Sequence, residues 1–292
     1  MARRLAPKSR QVLYTVCALA LAFSINSSTA LASDLATQLD FPFASEAELF
    51  SRPLPRIHAR ATSTILNLLD YIHQSETRDS LADIEARVPR YNRRNDFGGW
   101  INANPSAGCL DTRGLVLVRS ADANSQVTYR DASKCSVVKG LWHDPYTGND
   151  FKLAKAVQID HVVPLKHAYL TGAWNWSPER RCYYANFLNN RFHLLAVSGH
   201  ENMSKSDGGP ENYLPPDQSF NCEYVSTWMK IKAIWKLVST APEVTAIEQV
   251  IRDQHCSMAK LEYSSNELDQ ERSATLNPPQ RCKDFAATGT IN

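Results

Sequence analysis

QIDHVVPLKH, residues 158–167, sets Asp160 and His161 side by side in a run that is otherwise Ile, Val, Val, Pro and Leu. On a regular strand adjacent side chains point to opposite faces, so the pair can serve one site only where the chain bends or bulges, and Pro164 offers a place for that. Taken alone, the pair favours a strand end in which the aspartate accepts turn hydrogen bonds and the histidine is half-buried. The remainder of the chain has to decide between these.

Downstream, FHLLAVSGHENMSKSDGGP, residues 192–210, reads as a short strand followed by a short helix. Ser198 followed three residues later by Glu201 is a capping box that starts the helix near Gly199, and Gly208, Gly209 and Pro210 stop it. Asn202 and Lys205, three residues apart, share one face near the helix start. An amide oxygen and an ammonium beside free backbone N–H groups suit a metal ion and a phosphate.

Strand, Asp-His, long connection, strand, then a short helix with Asn-x-x-Lys resembles the HNH, or ββα-metal, nucleases. The three motif positions fall on His161, His193 and Asn202. The segments GCLDTRGLVLVRS, GLWHDPYTG, IDHVVPL, SPERRCYYAN, LLAVS, NMSKSD and YLPP, in that order, look like a family of secreted bacterial HNH endonucleases related to the C-terminal nuclease domain of GmrSD restriction enzymes. This resemblance spans roughly residues 91–256. It implies an α+β fold: a ββα-metal core with an added hairpin and flanking helices, acting on nucleic acid, DNA foremost. Relatives usually carry Asn where this chain has His193, a position that braces the hairpin.

The residue types suit phosphodiester hydrolysis on chemical grounds as well. The reaction needs a base for water and a cation for the charge on the pentavalent phosphate. His161 is the natural base, since an imidazole with an ordinary pKa near 6.5 is mostly neutral at working pH. Asp160 and Asn202 supply hard oxygens for a divalent ion, Mg²⁺ foremost, while a nearby His193 would also suit Mn²⁺, Ni²⁺ or Zn²⁺. Lys205 and Arg180 are expected against phosphate. Between residues 152 and 205 seven basic side chains face three acidic ones, a local excess in a chain of little net charge. His143, just before a turn, is expected to be structural, His167 and His200 to be exposed, and Trp174, Trp176 and Tyr183 to belong to the core.

Two further readings come from other classes. One is a secreted binding module on a degenerate nuclease scaffold; the other is a hydrolase of small phosphodiesters.

Arg3, Arg4, Lys8 and Arg10 precede the apolar run VLYTVCALALAF, and ALA at 30–32 supplies the small residues a signal peptidase reads. The run is too short to span a bilayer as a helix, which takes about 20 residues. Residues 1–32 therefore read as a secretory signal, with a secreted or periplasmic product. Its loss takes four basic residues from a net charge of +2 and leaves −2, so overall charge gives no case for nucleic acid.

Six cysteines remain beyond that signal, and in an exported chain they point to three disulfides. GLVLVRS and SQVTYRD, separated by ADAN, read as a hairpin whose open end pairs Cys109 with Cys135. Cys222 and Cys256 bracket a helical pair, which leaves Cys182 for Cys282. The absence of any C-x-x-C speaks against a zinc site built on these thiols. A helical extension over 33–88, with Ile65, Leu68, Leu69 and Ile72 on one face, is expected to precede the nuclease domain at 89–262, and a polar tail at 263–292 to follow it.

Overall fold

The computed structural model describes residues 65–289, so the expected signal at 1–32 and the first half of the extension lie outside the described residues. Strand β1 (Ile65–Asn67) turns at once into α1 (Leu68–Gln74), because the Asn67 side chain accepts from the Leu69 and Asp70 N–H groups at 2.9 and 3.3 Å and caps the helix. Leu68 and Ile72 are buried as the stripe requires, but Ile65 lies before the cap and is 46 % exposed. Next come β2 (Glu76–Thr77), α2 (Leu81–Glu85) and α3 (Arg93–Phe97).

The segment read as the first arm of a hairpin is a helix, α4 (Thr112–Ser120). Its N-cap decides the matter: Asp111 accepts from the Gly114 N–H at 2.8 Å, and Thr112, Gly114, Val116 and Leu117 then form the buried side. Alternating Leu and Val suited a strand equally well, so the cap carried the information that the alternation lacked. Arg119 extends from this helix to the carbonyls of Leu188, Asn190 and Leu194 at 3.0–3.2 Å.

A three-stranded antiparallel sheet follows, with β4 (Val137–His143) between β3 (Thr128–Tyr129) and β5 (Asp150–Leu153). Then β6 (Val157–His161) runs into α5 (Leu165–Leu170), followed by α6 (Pro178–Ala185), β7 (Leu194–Ser198) and α7 (Gly199–Lys205). Strands β6 and β7 pair antiparallel with unbroken register from Val157↔Ser198 to His161↔Leu194. No bulge separates Asp160 from His161, contrary to expectation. Val157 and Ile159 join Val116, Leu117, Trp142, Leu194 and Ala196 in one core, and the Trp142 indole N–H donates to the Leu117 carbonyl at 2.8 Å.

The remaining elements are α8 (Asn221–Trp235), β8 (Ser239–Thr240), α9 (Ala241–Asp253), α10 (Met258–Leu261), β9 (Glu262–Ser264), α11 (Ser265–Thr275) and α12 (Gln280–Thr288). β1 pairs with β9 and β2 with β8, so backbone hydrogen bonds tie residues before 88 to residues near the C-terminal end. Helix α8 is buried nearly all round, and within it lies a charged group: Lys232 and His167 both meet the Glu243 carboxylate, at 2.9 and 3.2 Å, and the Trp228 indole donates to its other oxygen at 2.7 Å. Fully buried charges persist only when paired in this way.

All three expected disulfides are present: Cys109–Cys135, Cys182–Cys282 and Cys222–Cys256. The first joins the residues just before α4 to the turn between β3 and β4, a closure that does not need the hairpin from which it was reasoned. The fold is α+β, braced by these bridges. Among the described residues no helix is long and apolar enough to cross a membrane.

Candidate active site

Strand alternation sorts the residues of β6 into two sets. Val157, Ile159 and His161 share the face turned to the interior, while Gln158 and Asp160 share the face covered by α7. Asn202 and Lys205, on the inner side of that helix, meet this second pair: the Asn202 amide N–H donates to Gln158 Oε1 at 2.7 Å, and the Lys205 ammonium donates to Asp160 Oδ1 at 2.9 Å and to the His161 carbonyl at 3.0 Å. The two faces converge where β6 ends. Asp160, His161 and Asn202 all line one cavity of about 460 Å³, together with Tyr91, Arg93 and Lys166. A strand terminus thus does what a bulge was expected to do.

His161 is held on three sides. Its Nε2–H donates to the Ala185 carbonyl at 2.9 Å, its ring stacks on Trp100 at 5.3 Å with planes 5° apart, and Tyr184 lies in a near-parallel plane at 6.5 Å. The bond to Ala185 fixes the tautomer, which leaves Nδ1 as the lone-pair nitrogen. Burial, assisted by the neighbouring His193, holds the His161 pKa well below the usual imidazole value. The ring is therefore neutral at pH 7.

The partners of His161 trace to local sequence. Ser177-Pro178 starts α6, which ends at Ala185 and presents its carbonyl. Asn186, just past that end, accepts from the Ile101 N–H at 3.0 Å and donates to the Gly99 carbonyl at 3.1 Å, which pins the loop carrying Trp100. The Cys182–Cys282 bridge ties the same helix to α12.

Asp160 is clamped. The Tyr146 hydroxyl donates to Oδ2 at 2.6 Å while Lys205 holds Oδ1. Burial, with the Asp160 charge, drives the Tyr146 pKa well above its usual value, so the phenol stays a donor. Lys205 is 2 % exposed, and burial lowers its pKa against the opposing pull of Asp160. An ammonium so enclosed serves Asp160, where a surface contact to phosphate was expected. Arg180 departs similarly: it is 3 % exposed, with its guanidinium 4.3 Å from the Trp176 ring centre and 5.9 Å from that of Trp235. It packs among aromatic side chains, away from the cavity.

His193 lies behind His161 and is not part of the cavity wall. Its Nε2–H donates to the Tyr184 carbonyl at 2.8 Å, its backbone N–H donates to Asn190 Oδ1 at 2.9 Å, and its carbonyl accepts from the Val162 N–H at 3.3 Å. Its ring is packed by Tyr184, Phe187 and Trp235, and burial pulls its pKa down to about 3. This is a brace across the β6–β7 pair. His167, expected to be exposed, is buried in the Glu243 cluster, and His143, expected to be structural, is exposed; His200 is exposed and Trp176 and Tyr183 are core, as expected.

Three contributors escaped the sequence reading: Tyr146, Gln158 and Trp100. Only Gln158 carried a usable signal, because it lies two residues before Asp160 and so had to share its strand face.

The donor set at this cavity suits a divalent ion. Gln158 engages the Asn202 amide nitrogen and leaves the Oδ1 of this cavity-lining residue without a hydrogen bond among the described residues, and each Asp160 oxygen accepts one hydrogen bond and retains a lone pair. Two hard oxygens fit an ion that keeps most of its water. Among the described residues no three His, Cys, Asp or Glu side chains gather as an all-protein metal cage.

The architecture and bridges define a disulfide-braced α+β protein. Residues 118–249 match the family of the C-terminal domain of GmrSD restriction endonucleases, and the chain belongs to that family. It is also 39 % identical over 158 residues to an uncharacterized secreted protein of Arthroderma benhamiae, covering 54 % of this chain and 73 % of that one. No solved structure matches the chain.

Proposed function

We propose that the protein is a secreted, divalent-metal-dependent HNH endonuclease that cuts DNA with little regard to sequence. The observation that carries this reading is His161: a neutral imidazole, its Nε2–H fixed by Ala185, lining one cavity with Asp160 and Asn202. Nδ1 takes a proton from water as the water attacks phosphorus, a role that contributes roughly 10²- to 10⁴-fold. Trp100 and Tyr184 hold the ring plane, and His193 holds the strand beneath it. Asp160 and Asn202 are the oxygens that would hold the ion, with Mg²⁺ the best fit to such ligands and Mn²⁺, Ni²⁺ or Zn²⁺ as the substitutes to try. When bound, the ion would neutralise charge on the phosphate and on the leaving oxygen. Lys205 and Tyr146 orient Asp160 for this purpose. Membership of a restriction-endonuclease domain family, a secreted relative and three disulfides support the reading.

The test is nicking of supercoiled plasmid by the purified chain. Wild type should convert it to open circles in Mg²⁺ and stop on EDTA, and His161→Ala should lower the rate by at least about 10²-fold with the fold intact. Equal rates in wild type and His161→Ala would remove His161 from the mechanism. Binding of plasmid without any cutting would instead favour the degenerate-scaffold reading.

A further inference from the structure

Four of the seven basic side chains between residues 152 and 205 are engaged within the protein, and the other three, Lys152, Lys155 and Arg191, do not line the cavity that holds His161. Lys205 pairs with Asp160, Arg180 lies against Trp176, Lys166 bridges Glu85 and Asp207 at 3.1 and 3.3 Å, and Arg181 donates to the carbonyls of Asp96 and Trp176. A polyanion approaching His161 must find its cations elsewhere.

Arg93 and Arg94 begin α3, and both are exposed. Arg93 lines the cavity that holds Asp160, His161 and Asn202. Both arginines also line a second cavity of about 580 Å³, bounded by Gly98, Gly99, Trp100 and Phe285. Arg93 therefore belongs to both cavities, and Trp100, the ring stacked on His161, belongs to the wall of the second. Among the described residues neither guanidinium makes a hydrogen bond or an ion pair. Gly98 takes a left-handed φ of 71°, and Gly98 and Gly99 add no side chains to that stretch of the wall.

Two uncommitted guanidiniums, a shared rim and an aromatic wall match a nucleic-acid strand better than a small diester. A strand carries a phosphate on either side of the one being cut, and its bases stack on aromatic surfaces. We propose that Arg93 and Arg94 grip successive phosphates on one side of the scissile one, so that the strand runs from the His161 cavity across Arg93 into the cavity beside Trp100. This rests on the nuclease reading above and adds the substrate's path. Arg93 and Arg94 take the place expected for Lys205 and Arg180.

Binding, separated from cutting, tests the path. In a His161→Ala chain, a fluorescent ten-nucleotide single strand is titrated by anisotropy at several KCl concentrations. Each phosphate contact contributes a slope of roughly −0.7 in log K against log salt on a single strand, so Arg93→Ala with Arg94→Ala should flatten the slope by about 1.4. Arg93→Lys with Arg94→Lys should retain it, and Arg252→Ala, on α9 outside both cavities, should leave it unchanged. An unaltered slope in the double alanine variant, or no binding by the parent chain, overturns the path. A wild type that never cuts while the arginine-dependent slope persists would sink the nuclease reading and leave the path standing.

Discussion

Lys205→Met separates the two roles open to this lysine. The ammonium lies 2.9 Å from Asp160 Oδ1 and 3.0 Å from the His161 carbonyl, with the lysine side chain fully buried and that of Asp160 4 % exposed. Removing one partner of such a pair strands the other charge, at a cost of about 3–5 kcal/mol. With a urea m-value of about 2.5 kcal/mol/M, a loss of about 4 kcal/mol lowers the unfolding midpoint by roughly 1.6 M. Adding Asp160→Asn should recover most of this, because the stranded charge goes while Tyr146 keeps an acceptor. Urea titrations with the disulfides intact, followed by circular dichroism, give the three midpoints. Salt-dependent binding of an oligonucleotide to the same variants, in the His161→Ala background, gives the second readout. A buried lysine leaves that slope alone, whereas a phosphate contact flattens it by about one unit on duplex DNA. Wild-type stability together with a flattened slope would refute the structural role and return Lys205 to the phosphate.

His193 and Trp100 give two more expectations. The His193 pKa of about 3 lies below that of the unfolded chain, so its contribution is present in full above about pH 6.5 and is lost as pH falls toward 3. His193→Asn should therefore reduce the pH dependence of unfolding free energy between pH 6 and 4 by about 1.4 kcal/mol per unit, read from urea midpoints; an unchanged slope would mean the imidazole is charged or exposed. Trp100→Leu removes the ring stacked on His161 and should lower kcat for plasmid nicking by roughly tenfold or more while the Ala185 bond persists. An unaltered kcat would show that Ala185 and Tyr184 suffice to orient the imidazole.

The parts of this molecule that sequence disclosed are those fixed by neighbours in the chain. Ser198 caps α7 through the Glu201 N–H, and the three-residue spacing of Asn202 and Lys205 puts both on one face, as read, although that face turns to β6 and not outward to phosphate. The departures from expectation share a different cause. Lys205 and Arg180 look alike in sequence whether they face water or a buried partner, and only the packing of α7 on β6 and of α6 on Trp235 distinguishes the two. Tyr146 and Trp100 reach the site from loops 14 and 61 residues away from their partners Asp160 and His161, across contacts that no local pattern encodes. GLVLVRS was legible in principle, through Asp111.

The pairing of Asp160 with His161 shows why adjacency and function are compatible on a straight strand. Opposite faces give the two side chains different environments: Asp160 receives an ammonium and a phenol, which keep a carboxylate fixed, while His161 receives a carbonyl and two aromatic rings, which keep an imidazole neutral. On one face the carboxylate would lie against the imidazole and favour its protonation, removing the base. Ending the strand at His161 then lets both groups reach one cavity without sharing an environment. Metal ligand and base can thus be neighbours in sequence, close in space and electrostatically separate, which is what the proposed chemistry requires of them.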